Sequence, residues 1–133
     1  LSHLRYSPYE EFGKRNPERF SYNQAVRVGD EIECPGQGSG CGPKTGEFRQ
    51  ESNAQIDQVF ASVDLNLKDA GGKGWEQVYG VNPYHVPMNN EAPGAMVRNF
   101  NKWMPNHKPI RTCVGVTRLA GEDMRVESGG CCP

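Results

Sequence analysis

Arg111 and Cys113 enter an otherwise apolar stretch, PIRTCVGVTRL at 109–119. Residues two apart in a strand point the same way, so Arg111, Cys113 and Gly115 would share one face. A guanidinium there is costly unless something pairs with it. Its planar fork of donors matches a carboxylate or a phosphate. Spacing alone fits either a structural ion pair with a glutamate of the same or a neighbouring chain, or a clamp for a small anion. Structural arginines are the commoner of the two. Cys113 would need a depressed pKa to act as a nucleophile, with Arg111 as the cation to provide it. It reads more simply as a small buried hydrophobe.

Other chemistries find less support. His3, His85 and His107 are scattered without ligand spacing and read as surface or satisfied structural histidines, so no metal is expected. The glycine-rich run GQGSGCGPKTGEF (36–48) lacks phosphate-loop spacing and reads as a loop needing positive φ. Fifteen basic and sixteen acidic side chains nearly cancel, which argues against nucleic acid as a partner. No apolar run is long enough to span a membrane, and the early charges of LSHLRYSPYEEF do not form an intact signal peptide. Five cysteines match no zinc pattern and include an adjacent pair, Cys131–Cys132. They read as mostly reduced thiols and place the chain in the cytoplasm or in mitochondria.

The elements that must position Arg111 follow from periodicity. Tyr22, Gln24, Val26 and Val28 alternate, and Gly29–Asp30 turns the chain into a second run from Glu31 to Cys34, a hairpin. Ile56, Val59, Phe60, Val63 and Leu67 make one helical stripe within 50–70, closed by Gly71–Gly72. WEQVYGVNPYHVP (75–87) reads as a strand with Pro83 marking an interruption or edge. A second helix follows, capped by Asn90, stopped by Pro105, with Met96, Val97, Phe100 and Met104 inward. IRTCVGVTRL is the next strand, a turn at Gly121 follows, and MRVE begins the last. The order β-β, helix, β, helix, β-β predicts a single α+β domain with both helices on one face of a mixed sheet. The other face, carrying Val26, Val28, Val114 and Val116, needs a partner, so homo-oligomerisation is expected.

YNQAVRVGDEIECPGQ, PKTGEF, QIDQVFASVDLNLKDAG, WEQVYGVNPYHV and IRTCVGVTRL…MRVE together resemble the YjgF/YER057c/UK114 family, whose RidA branch deaminates reactive enamines and imines. The likeness runs from about Ser21 to Glu127, and leaves 1–19 as an N-terminal extension to a domain at 20–133. The resemblance implies a chorismate-mutase-like fold assembled as a homotrimer, with sheets lining a central barrel and ligand clefts between subunits. It implies hydrolysis of 2-imino acids to 2-keto acids and ammonia without metal or organic cofactor. Arg111 would grip the substrate carboxylate and Glu127 would position a water. Tyr22 would reach the substrate from the adjacent subunit, the backbone of Cys113 would hold the same ligand, and Gly36 would bring backbone close to it. An endoribonuclease or translation inhibitor, or a non-catalytic ligand sensor or chaperone-like trimer, are the rival activities. Departures from the branch include Gly94 where it carries a helix asparagine, PGQ for SGQ, and an altered strand-to-helix connection at 81–94. VESGGCCP also replaces an apolar strand end, and its glycines favour an early end to the last strand.

Overall fold

A computed structural model describes residues 3–8, 15–38 and 51–133. Its elements are β1 (Leu4–Ser7), α1 (Arg15–Phe20), β2 (Ala25–Val28), β3 (Glu31–Gly38), α2 (Ser52–Asp69), β4 (Gly80–His85), α3 (Glu91–Trp103), β5 (Ile110–Arg111), β6 (Val114–Gly115) and β7 (Val126–Cys132), with one 3-10 turn at Gly74–Gln77. The strands form one mixed sheet in the order β1-β2-β3-β7-β4-β5, and β6 also pairs with β4. Pairing is antiparallel except for β4 with β5 and β6.

Two crossovers explain why the helices share one face. β3 and β4 both run antiparallel to β7, so they are parallel to each other and α2 connects them. α3 then connects β4 to the parallel β5. Both steps move in the same direction across the sheet, and right-handed crossovers in one direction place their helices on one side. The predicted stripe Ile56, Val59, Phe60, Val63 and Leu67 is buried there with Ile32, Trp75, Val81, Met96 and Val126. Phe60 stacks on Trp75 at 4.5 Å between ring centres, and the Trp75 indole N–H donates to the Phe60 carbonyl at 2.7 Å. Glu51 caps α2 by accepting from the Asn53 and Ala54 amides, both at 2.8 Å.

Several expectations are corrected. β3 continues through Gly36 and Gly38, so the start of the glycine-rich run is strand; 39–50 lie outside the described residues. β1 and α1 precede the predicted order, and β1 lies along β2. Pro83 sits inside β4, a strand paired on both sides; pairing with β5 and β6 skips Asn82 and Pro83, so the interruption falls on the neighbour. Asn90 holds the N-cap position of α3, but its side chain makes no capping bond; the side-chain oxygen of Asn89 accepts from Glu91 and Ala92 at 3.1 and 3.0 Å instead. Val97 is half exposed, and Ala92, Ala95 and Asn99 join Met96 on the buried side instead.

IRTCVGVTRL is two short bridges, β5 and β6, broken at Thr112–Cys113. VESGGCC does not end early: β7 lies between β3 and β4, burying Val126, Ser128, Gly130 and Cys132 in alternation. A Cβ on Gly129 would lie 2.4 Å from the Cys34 carbonyl oxygen and 2.8 Å from the Pro35 carbonyl carbon. The β3 bulge between Cys34 and Gln37 leans on this strand, and glycine leaves room for it.

Candidate functional site at the sheet edge

Arg111 is placed by hydrogen bonds on either side of it. The Ile110 amide donates to the Tyr79 carbonyl at 2.8 Å and the Thr112 amide to the Val81 carbonyl at 3.2 Å. The His107 Nε2–H donates to the Val78 carbonyl at 2.8 Å and ties the preceding loop to the same strand. This register sets Arg111 beside Val81, whose side chain is buried on the helix side. The exposed guanidinium accordingly lies 5.7 Å from the centre of the Phe100 ring on α3. Such a contact stabilises by about 0.5–1 kcal/mol at an exposed site, too little to consume the cation. Among the described residues the ion pairs are Lys68–Asp64 and Arg98–Asp57, and Arg111 belongs to neither. A cavity of about 290 Å³ opens beside it, lined by Val97, Phe100, Met104, His107 and Lys108 among others.

Cys113 follows in the break between β5 and β6 and is half-buried. Burial pushes its thiol pKa up, opposed by the charge of Arg111. A thiol held protonated is a poor nucleophile and a suitable lining group.

A second cluster forms on the open sheet face. Glu127 of β7 stands opposite Gly38 on one side and Tyr84 on the other. Burial raises the pKa of its carboxyl. A Cβ on Gly36 would lie 2.0 Å from Glu127 Oε1, so the carboxylate rests directly on the backbone of the β3 bulge. The structure thus brings Gly36 and Glu127 together, and Arg111 and Cys113 together, on opposite sides of the sheet edge. Three residues along β4 and one strand to each side separate Arg111 from Glu127, roughly 14 Å between α-carbons by sheet dimensions.

Tyr22 joins neither cluster. It is exposed ahead of β2, its ring 6.4 Å from that of Phe20. Four strand steps lie between β2 and β5, about 19 Å at the usual spacing.

Sequence reasoning missed two features. His85 is neither a surface nor a satisfied histidine: it is buried, Nε2 has no hydrogen-bond partner among the described residues, and burial and then the Arg111 charge lower its pKa. The apolar partners of Arg111 on α3 were also missed, because Phe100 and Val97 read simply as core. Val26 and Val116 are half-buried and Val28 and Val114 exposed, so the open sheet face is uncovered in the single chain.

The architecture defines a class first: one α+β domain, helices on one sheet face, with an arginine at the parallel edge that has no acidic partner among the described residues. The chain belongs to the YjgF/YER057c/UK114 family, whose model, described as endoribonuclease L-PSP, matches residues 14–129. Solved structures agree. Rv2704 of Mycobacterium tuberculosis, a member of that family, superposes with a TM-score of 0.77 at 16% identity over 97% of this chain and 98% of that one. The yjgF gene product of Escherichia coli gives 0.73 at 26% identity over 84% and 86%. Escherichia coli TdcF with bound serine gives 0.73 at 24% over 84% and 86%. No curated protein matches the sequence. Among the described residues no helix is long and apolar enough to cross a membrane.

Proposed function

We propose that the chain hydrolyses reactive 2-imino and enamine acids to 2-keto acids and ammonia, acting as a homotrimer. The observation that carries this reading is Arg111, a guanidinium without an acidic partner among the described residues, facing a cavity of ligand size. The clamp holds the substrate carboxylate, with Cys113 lining the site. Water adds to the imine carbon, the carbinolamine loses ammonia, and the ketone remains. Glu127 orients that water and passes a proton to the departing nitrogen, a role suited to a carboxyl whose pKa is raised. Within one chain Arg111 and Glu127 lie on opposite sides of the sheet, so the substrate meets Glu127 in the cleft between copies of the homotrimer. Tyr22 reaches the clamp of another copy, since its own chain keeps it four strands away. TdcF of Escherichia coli holds a serine, a ligand of the size the clamp requires.

Ammonia release from a freshly generated 2-imino acid tests the reading. A charge-assisted bidentate pair contributes about 1.5–3 kcal/mol. Arg111→Ala is therefore expected to lower kcat/KM by about 10- to 150-fold above the spontaneous rate. An unchanged rate removes Arg111 from the site. The family model's name makes RNA cleavage the second reading. Fifteen basic against sixteen acidic side chains leave no marked positive balance for a polyanion, which counts against it. RNA cleavage that survives both purification and Arg111→Ala would favour that rival.

A further inference from the structure

We infer that the groove between α3 and the segment 104–111 is a side-chain subsite, selecting acids with an aromatic or branched apolar tail over small ones. The inference rests on the reading of Arg111 as a carboxylate clamp and adds what the rest of the ligand touches.

The floor of the groove is Val97, Phe100 and Met104, three apolar residues at i, i+3 and i+7 of one helix stripe. Val97 is 50% exposed in the middle of α3, where a helix of this polarity would ordinarily carry a charge. Phe100 is half-buried: its ring meets Phe60 edge-on at 5.4 Å on one side and Arg111 at 5.7 Å on the other. A carboxylate on the Arg111 fork therefore starts at one end of an apolar surface. One turn before Val97 stands Gly94, where an added Cβ would meet nothing within 4 Å, so the helix leaves that end open.

Size and charge narrow the occupant. About 290 Å³ is at the small end of ligand sites, enough for one ring or one branched chain and too little for a large cofactor. Among the described residues the ionisable groups lining the groove are His107, Lys108 and Arg111, with no acid. A tail bearing an ammonium or guanidinium meets the like charges of Lys108 and Arg111 and, among the described lining residues, no carboxylate, only neutral acceptors such as the Asn101 amide oxygen. An apolar tail loses nothing there and covers Val97 and Phe100 from water. The groove thus separates imines of phenylalanine or leucine from those of alanine on one hand and lysine on the other.

Binding of phenylpyruvate and pyruvate, stable 2-keto analogues, tests this, read from the methyl NMR signals of valine-labelled protein and from titration. Benzyl methyl ketone serves as a probe lacking the carboxylate. The Val97 methyl signals are expected to shift with phenylpyruvate and with the ketone but not with pyruvate. Phenylpyruvate is expected to bind at least about tenfold more tightly than pyruvate. Val97→Lys, at an exposed helix position, is expected to erase that ratio and leave pyruvate binding in place. An equal ratio in wild type and Val97→Lys overturns the subsite, even where Arg111→Ala abolishes binding of both acids and so upholds the clamp. Acid binding indifferent to Arg111→Ala overturns the clamp and with it the assignment of acids, whether or not the ketone still reaches Val97.

Discussion

Gly36→Ala probes the contact between the β3 bulge and Glu127. The new Cβ would lie 2.0 Å from Glu127 Oε1, 2.4 Å from its Cγ and 2.5 Å from its Cδ. Ordinary contact with carbon begins near 3.4 Å, so the carboxylate must retreat by about 1 Å or more. The obstacle is a side chain on a half-buried site, not backbone, so it can yield by leaving its rotamer. That displacement costs about 0.5–1.5 kcal/mol, and local overpacking brings the total to about 1–3 kcal/mol. The fold survives such a loss, and a fall in Tm of several degrees is expected. Catalysis should suffer more, because an acid misplaced by 1 Å loses about 100-fold where its position matters. Imine hydrolysis and thermal unfolding measured on the same preparation separate the two effects. A Gly36→Ala protein with a lowered Tm and an unchanged rate would refute the role of Glu127. An unchanged Tm with an unchanged rate would refute the contact itself.

The remaining predictions concern the same strands and α3. Gly129→Ala meets backbone at 2.4 Å, which cannot rotate away, so a loss of about 3 kcal/mol or more is expected in urea unfolding. Gly94→Ala meets nothing within 4 Å and lies inside α3, so it should stabilise by up to about 1 kcal/mol and raise Tm. Glu127 has a folded pKa above its ordinary value of 4.5 because burial disfavours the charge. Its contribution to stability is therefore fully present below that ordinary value and lost as pH rises through the folded pKa. Glu127→Gln should flatten this part of the stability profile and gain on wild type at neutral pH, seen as urea midpoints across the acid range. The same variant should lower the rate of imine hydrolysis and remove the acidic limb of its pH profile.

Much of the fold was legible because its signals are local. The α2 stripe from Ile56 to Leu67 needs only a 3.6-residue period, and all five predicted positions are buried. The hairpin turn at Gly29–Asp30 needs only a short connection between alternating runs, and β2 and β3 pair across it. Arg111 was identifiable because a cation beside apolar positions is anomalous anywhere in a chain. The family motifs placed the chain in its family, and the match to residues 14–129 bears that out.

Where the signals are not local, the same reasoning gave way. VESGGCC looks too weak for a strand by composition, yet β3 and β4 pair with it on both sides and its glycines make room for the bulge. Asn90 and Asn89 are equally good caps by type, and the approach of the chain into α3 selects Asn89. Pro83 lies within a strand because β5 and β6 leave a gap where its missing N–H would have pointed.

The residue types of the candidate site, Arg111 beside Cys113, and the helices and strands around them were determined by the sequence alone, since periodicity and charge act over a few residues. Which side of the sheet each group faces was decided by tertiary pairing. One residue of register exchanges the two faces of a strand. That register put Arg111 against Phe100 and Glu127 against Gly36, on opposite sides of β4, and left Tyr22 four strands away.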